Sequence, residues 1–295
     1  MAVDVGMSVP EGRSGPAGRL DSDEVRVITY NTAGGNRRFR ALQAGLVTLP
    51  FYAEALSGTP DAPLLALQEV GEQQARAVRR AAQSGRARVL YVRRPGLGNA
   101  LVIPDRFEVL SHHRRFYVGS QLRGLARGLW RWHRERQRQN WRQYAELRMS
   151  IEALLRDRRS GRRFTIINTH LSIEPGLRDA QAESLLRRAR AAARRGPVIV
   201  AADLNVRVSA HDSPEAPFAQ LLREFPDMGA PGSVAPDLDF VLAAGFLGGR
   251  SRTWSGESLF LPGRPNAESV SDHLAEDHVL RFSSDAPGGG KPVTG

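Results

Sequence analysis

What most constrains the fold of this sequence is a set of short apolar runs, each stopping abruptly at a polar residue capable of chemistry. The clearest is Val198 to Asn205, VIVAADLN, where an apolar, β-branched run ends in Asp203 and Asn205. Such a run reads as a strand buried on both faces. The pattern recurs along the chain. VRVITY stops at Asn31, Leu64 to Gln68 runs into Glu69, Asn99 opens ALVI, and RFTIINTH delivers His170. LDFVL carries Asp239, and Ser271-Asp272-His273 precedes the last strand. Carboxylates, carboxamides and imidazoles at the ends of buried strands point at a common cleft, where ligands of α/β sheets collect. Each residue alone has a plainer reading: Asp203 and Asn205 could close an Asx turn, His170 could be a satisfied core histidine, and Asp272 could cap a strand.

Between these strands the spacing predicts helices. Phe39 to Leu56 has helical periodicity that Pro50 should kink or divide, and Glu72 to Ser84 is closed by Gly85. Arg178 to Arg195 carries Leu185, Leu186, Ala189 and Ala193 on one face and stops at Gly196-Pro197; a shorter helix is expected over Phe218 to Phe225. Further strands are expected at Arg88 to Val92, Met149 to Leu154 and His278 to Phe282, with Trp254 in a polar loop. The alternation of β and α segments would by itself suggest a doubly wound parallel sheet. Residues 1–24 read as a disordered leader without a signal peptide or membrane span, 25–283 as one folded domain, and 284–295 as a tail.

Composition narrows the chemistry. Absence of cysteine excludes disulfides, thiolate nucleophiles and Cys-ligated zinc, and suits a reducing, cytoplasmic setting. The net charge of +11 favours polyanionic partners, while Lys291, in the tail, is the sole lysine, which excludes a Walker-type phosphate loop. One stretch stands outside the alternation. Residues 120–148 hold Trp130, Trp132 and Trp141 among eight arginines, and Leu122, Leu125, Leu129, Trp132 and Tyr144 could share one helical face. A basic amphipathic helix of this kind could lie on a membrane, track a phosphate backbone or dock on the body of the protein.

As an ordered set, VITYNTAGG, LLALQEV, GNALVI, IINTHLS, VIVAADLN, LDFVL and SDH resemble the endonuclease/exonuclease/phosphatase superfamily. The resemblance implies a four-layer α/β sandwich of two packed mixed sheets flanked by helices, and hydrolysis of a phosphoester by metal-activated water. It implies that Glu69, Asn31 and Asp272 hold magnesium, with manganese an alternative, since hard oxygen donors suit such ions. Asp203 would orient or deprotonate the water, Asn205 would hydrogen-bond the phosphate, and His273, oriented by Asp239, would contact the scissile group. His170 would be the second phosphate-facing histidine, with Asn99 a partner for its ring, and Arg148 a substrate contact. A second Asp-His pair, Asp277-His278, lies five residues beyond the first. The expected substrate is nucleic acid, acted on by a monomer. A lipid or small-molecule phosphoesterase working at an anionic membrane surface, and a catalytically silent phosphate-binding protein, are the alternatives.

Overall fold

The computed structural model describes residues 19–33, 47, 49–84, 86–93, 97–119, 122, 126, 148–206, 216–228, 238–254, 271 and 273–284. Among these are eleven strands: β1 Glu24–Asn31, β2 Leu64–Val70, β3 Ala87–Arg93, β4 Gly98–Pro104, β5 Phe107–Phe116, β6 Met149–Asp157, β7 Arg163–His170, β8 Val198–Asp203, β9 Asp239–Ala244, β10 Phe246–Trp254 and β11 Ala275–Phe282. Four helices accompany them: α1 Pro50–Leu56, α2 Glu72–Ser84, α3 Pro175–Ala193 and α4 Pro217–Glu224. The strands form two mixed sheets, one in the order β10-β11-β1-β2-β4-β3 and the other β5-β6-β7-β8-β9. The superfamily sandwich is therefore present, and the single doubly wound sheet that alternation alone suggested is not.

Strand periodicity explains the layering. Along β8, Ile199 and Ala201 join a core between the sheets with Val27, Ala66, Ile151, Ile166 and Val241, while Val198, Val200 and Ala202 meet Leu185, Leu186 and Ala189 of α3. On the other sheet, Ile28, Leu65 and Val102 pack outward against Phe51 and Tyr52 of α1 and Val78 of α2. Each central strand thus buries both faces, which is why its sequence is a continuous apolar run.

Beyond its apolar part, the core between the sheets turns polar toward one edge. Gln68 Nε2 donates to Thr29 Oγ1 (3.1 Å) and Asn168 Oδ1 (2.9 Å), and Asn168 Nδ2 donates to Leu67 O (3.1 Å) and Ala100 O (2.7 Å). Asn168 lies in β7 and its acceptors in β2 and β4, so this buried pair ties one sheet to the other. Such a tie fixes the arrangement of the sheets, because breaking it would leave the buried Gln68 and Asn168 N–H groups without acceptors, which is costly.

Several local expectations are corrected. Pro50 begins α1 instead of dividing a longer helix, as suits a residue whose missing N–H costs nothing in a first turn; Phe39 to Leu46 lies outside the described residues. Trp254 is the buried end of β10, not a loop residue. β5 and most of β10 carry no run of alternating apolar residues, and neither is anticipated by the sequence pattern. The described chain is already packed at Leu20, whose carbonyl accepts from Arg159, ahead of the expected domain start. Of the basic segment, only Leu122, Ala126 and Arg148 are described.

Candidate active site

Extending the core's alternation to the strand ends determines which side chains meet. On β1, Val25 and Val27 face the other sheet, so Thr29 and Asn31 do also; on β7, Phe164 and Ile166 are followed by Asn168 and His170. Ile199 and Ala201 lead to Asp203, and Val241 leads back to Asp239. Register completes the assembly, because His170 pairs with Asp203 and Asp203 with Asp239 on adjacent strands.

Asn31 Nδ2 donates to Asp203 Oδ2 at 2.7 Å, across the gap between the sheets. The other carboxylate oxygen of Asp203 accepts from the backbone N of Asn205 at 2.9 Å. Asn205 sits at φ 52°, and this left-handed turn brings its Nδ2 to Leu171 O and to His170 Nε2, both at 2.9 Å. His170 Nε2 is also 3.4 Å from Asp203 Oδ2, and its Nδ1 is 3.9 Å from Glu69 Oε1. The structure thus places Asn205 against the His170 ring; Asn99 instead donates to Met149 O at 2.9 Å.

Glu69 reaches this group through a bulge. By strict alternation Gln68 faces the core between the sheets and Glu69 would face away. The β2–β4 register shifts between Leu67 and Val70, and Glu69 takes φ 52°, which turns its carboxylate toward His170. A non-glycine residue held in this region stores strain of about 1–3 kcal/mol, and such residues cluster at functional sites.

The last member arrives from the chain's end. Ser271 Oγ donates to Asn31 O at 2.8 Å and accepts from the backbone N of His273 at 3.1 Å. This tether holds His273 beside Asp239, with Nδ1 to Oδ2 at 2.7 Å. An Nδ1–H donated to a carboxylate leaves Nε2 directed outward as the working nitrogen. Asp272 lies outside the described residues. Asp277 faces away from the site and binds Arg26 through both carboxylate oxygens (2.8 and 2.6 Å), with Arg252 and Trp254 as further donors. His278 is buried against Met228 O. Arg148 is buried as well.

Asp203 is 1% exposed, and burial, followed by the negative charge of Asp239, pushes its carboxyl up from 3.8 to about 7. His273 and the hydrogen bonds from Asn31 and Asn205 oppose the rise without cancelling it. Two adjacent carboxylates in a desolvated edge make a site short of positive charge. Ligand atoms of Asp203, Asp239 and His273 lie within 4.8 Å of one another, a different set from the expected Glu69, Asn31 and Asp272. Because the 2.7 Å His273–Asp239 contact is a hydrogen bond, we read that pair as a unit and the surrounding carboxylate and carboxamide oxygens as the donors a hard divalent ion would find. The donor set fits such an ion.

Residues outside the expected set also contribute. Asn168 and Ser271, each two positions before a site histidine, and Gln68 brace the group from beneath. For Asn168 parity was the available signal: a polar residue two positions before a strand-end histidine shares its face.

Two packed mixed sheets between helical layers, opening at one edge on carboxylates, carboxamides and two histidines, define a phosphoesterase-type sandwich. The sequence model of the endonuclease/exonuclease/phosphatase family matches residues 28–273, and the chain belongs to that family, whose members generally hydrolyse phosphoester bonds. No curated protein matches the chain by sequence. Among solved structures, an endonuclease/exonuclease/phosphatase from Bacteroides vulgatus is similar at 16% identity and TM-score 0.60, over 88% of this chain and 99% of that one. The human Nocturnin catalytic domain, solved with a sulfate anion, is similar at 18% identity and TM-score 0.60, over 90% and 95% of the chains. D. rerio TDP2, solved with a single-strand DNA product, is similar at 14% identity and TM-score 0.59, over 88% and 99%.

Proposed function

We propose that this protein is a divalent-metal-dependent phosphodiesterase that cleaves nucleic acid by in-line attack of water, without a covalent intermediate. The observation that carries this reading is Asp203: a buried carboxyl raised to about 7, held by Asn31 and Asn205 and set between His170 and the His273–Asp239 pair. A general base works best when its proton affinity lies near the operating pH.

In this reading Asp203 orients the attacking water and accepts its proton. His273, its Nδ1 fixed by Asp239, presents Nε2 to the scissile phosphate. His170 faces the same phosphate, and Asn205 exchanges its internal contact with His170 for a phosphoryl oxygen. Glu69 and Asn31, with Asp272, would hold magnesium or manganese. When bound, the ion supplies neutralisation of charge on the phosphoryl oxygens.

Support for nucleic acid as substrate comes from the net charge of +11 and from the similarity in fold to TDP2 solved with single-strand DNA. A second reading, a lipid phosphoesterase, is favoured by exposed Ile173 and Leu274, which follow His170 and His273 in the chain and offer an apolar rim. No helix among the described residues is long and apolar enough to cross a membrane. The deciding experiment incubates the purified chain with DNA and RNA oligonucleotides, sphingomyelin and phosphoinositides, with magnesium or manganese and with EDTA. Metal-dependent oligonucleotide cleavage, lost in Asp203→Asn and His273→Ala, is expected. Release of a lipid headgroup alone, or turnover indifferent to EDTA, would defeat the proposal.

A further inference from the structure

β5 is an edge strand with an unusual exposure pattern. From Ser111 to Phe116 six consecutive residues are exposed, so the strand presents both faces to solvent at the end nearest the site. Those residues read SHHRRF, four basic or imidazole groups and no acid, ending in a phenylalanine that is 50% exposed. Arg88 of β3 adds to this cluster: partial burial first, then the charges of Arg88, Arg114 and His113, hold His112 below its ordinary value. Arg115 lies 4.0 Å from the Glu152 carboxylate, which is already engaged by Arg188 at 2.7 Å.

Just past this strand, the turn at Phe116 to Gly119 and the α3 face carrying Glu183, Ser184 and Arg187 enclose a cleft of about 260 Å³. That volume falls below the roughly 300–1,000 Å³ of pockets that take whole cofactors or drug-sized molecules, and suits one planar heteroaromatic ring. An exposed aromatic flanks it, and the Ser184 hydroxyl and the Glu183 oxygen not engaged by Arg187 offer acceptors to an exocyclic amine.

The cleft is connected to the site. Tyr117, buried in its wall, shares a 2.9 Å hydrogen bond with Thr169 Oγ1, and Thr169 directly precedes His170. β5 lies two strands from β7, which at about 4.8 Å per strand is roughly 10 Å, on the scale of one or two nucleotide steps.

We propose that the site end of β5, together with this cleft, is a subsite for one nucleotide of a single-stranded nucleic acid, with the base against Phe116 and the neighbouring phosphates along Arg114 and Arg115. The inference rests on the nucleic-acid reading above. An anionic membrane is the poorer occupant. Here four basic or imidazole groups and a single exposed phenylalanine lie along one narrow edge, whereas a lipid surface calls for a broad apolar face. Base stacking on an aromatic together with cationic tracking of the backbone is how sequence-tolerant single-strand sites are built.

The test measures binding of the full chain in EDTA, by fluorescence anisotropy, to a single-stranded DNA dodecamer and to a base-free backbone of equal length. Phe116→Ala should weaken the dodecamer about 10-fold and leave the base-free probe unchanged. Gly119→Leu adds bulk to the cleft from a position where an added Cβ meets no atom within 4 Å among the described residues, and should reproduce that loss without removing the phenylalanine. Arg114→Ala with Arg115→Ala should reduce the salt slope of log K by about 1.4, two phosphates at roughly 0.7 each. Turnover of bis(p-nitrophenyl) phosphate with magnesium should be unchanged in all three variants. Equal losses on both probes, or wild-type binding by Phe116→Ala and Gly119→Leu, would overturn the subsite. Loss of binding to phosphatidylserine vesicles in Phe116→Ala, with oligonucleotide binding intact, would overturn it in favour of a membrane. The expected binding pattern in a protein that hydrolyses neither ester would support the subsite while refuting the catalytic reading.

Discussion

Replacing Asp203 by Asn should make the metal-free protein more stable at alkaline pH and less stable at acid pH. Burial and the charge of Asp239 raise this carboxyl from 3.8 to about 7 in the folded state. The folded form therefore holds the proton more tightly than the unfolded chain. Stability linked to that proton is complete below pH 3.8 and is lost as pH rises through about 7. At 1.36 kcal/mol per pH unit, the ionised group costs the fold on the order of 4 kcal/mol by pH 9. Asparagine removes that cost but has one acceptor oxygen for two donors, Asn31 Nδ2 and Asn205 N. Leaving one buried donor unsatisfied costs about 1–3 kcal/mol. The net expectation is a gain of about 2 kcal/mol at pH 9, changing sign to a loss of about 1 kcal/mol near pH 4.5, where the folded carboxyl is protonated but the unfolded one is already largely ionised. Urea unfolding in EDTA across that range reads the crossing directly. Addition of magnesium should restore the wild-type advantage at pH 9, because a bound cation compensates the buried charge and stabilises whichever form binds it more tightly. A variant less stable than wild type at every pH would show that the ionised Asp203 is not a burden, and would remove the physical basis for treating it as the base.

Other perturbations separate architecture from chemistry. Glu69→Gly should relieve the left-handed strain and gain about 1 kcal/mol in denaturant unfolding, yet magnesium binding by calorimetry should fall at least tenfold; a loss of stability would mean that the bulge is not strained. Arg106→Ala, at the far end of the sandwich, breaks a buried bidentate pair with Asp157 (2.9 and 2.7 Å) and should cost about 3–5 kcal/mol while leaving kcat per folded molecule unchanged. Asn168→Leu withdraws donors from Leu67 O and Ala100 O and an acceptor from Gln68; unfolding should show a loss of about 3 kcal/mol, and kcat should fall with it because His170 sits two residues on. Unchanged turnover in that variant would argue that the sheet-to-sheet tie does not position the site.

What could be read in the sequence follows the burial of each strand. β1, β2, β7 and β8 are covered on both faces, and their continuous apolar runs and polar ends were plain. β5 and β10 lie at sheet edges, where solvent removes the demand for alternation, so SHHRRF and LGGRSR carried no strand signal. Gln68 and Asn168 lie inside apolar runs, and a polar residue in a buried strand shows its purpose only when the opposing sheet is known. Spacing alone left two Asp-His pairs near the chain's end. Asp277 occupies the outer face of its sheet with Arg26, and His273 is the histidine beside Asp239, a distinction that depends on which face each residue occupies. Asn205 beside His170 depended on a backbone turn of positive φ that no periodicity announces.

That same alternation of faces limits how this protein can change in length. The side chains of the site continue the two-residue rhythm of the core, so a single-residue deletion within β8 would turn Asp203 outward and swing an alanine or leucine into the cleft. A two-residue change would keep every side chain on its own face but displace the rim by one pleat. Changes in length are therefore best tolerated in the connections between strands, such as the stretch joining β5 to β6. Substrate preference can diversify there while the two sheets keep the group beneath it in register.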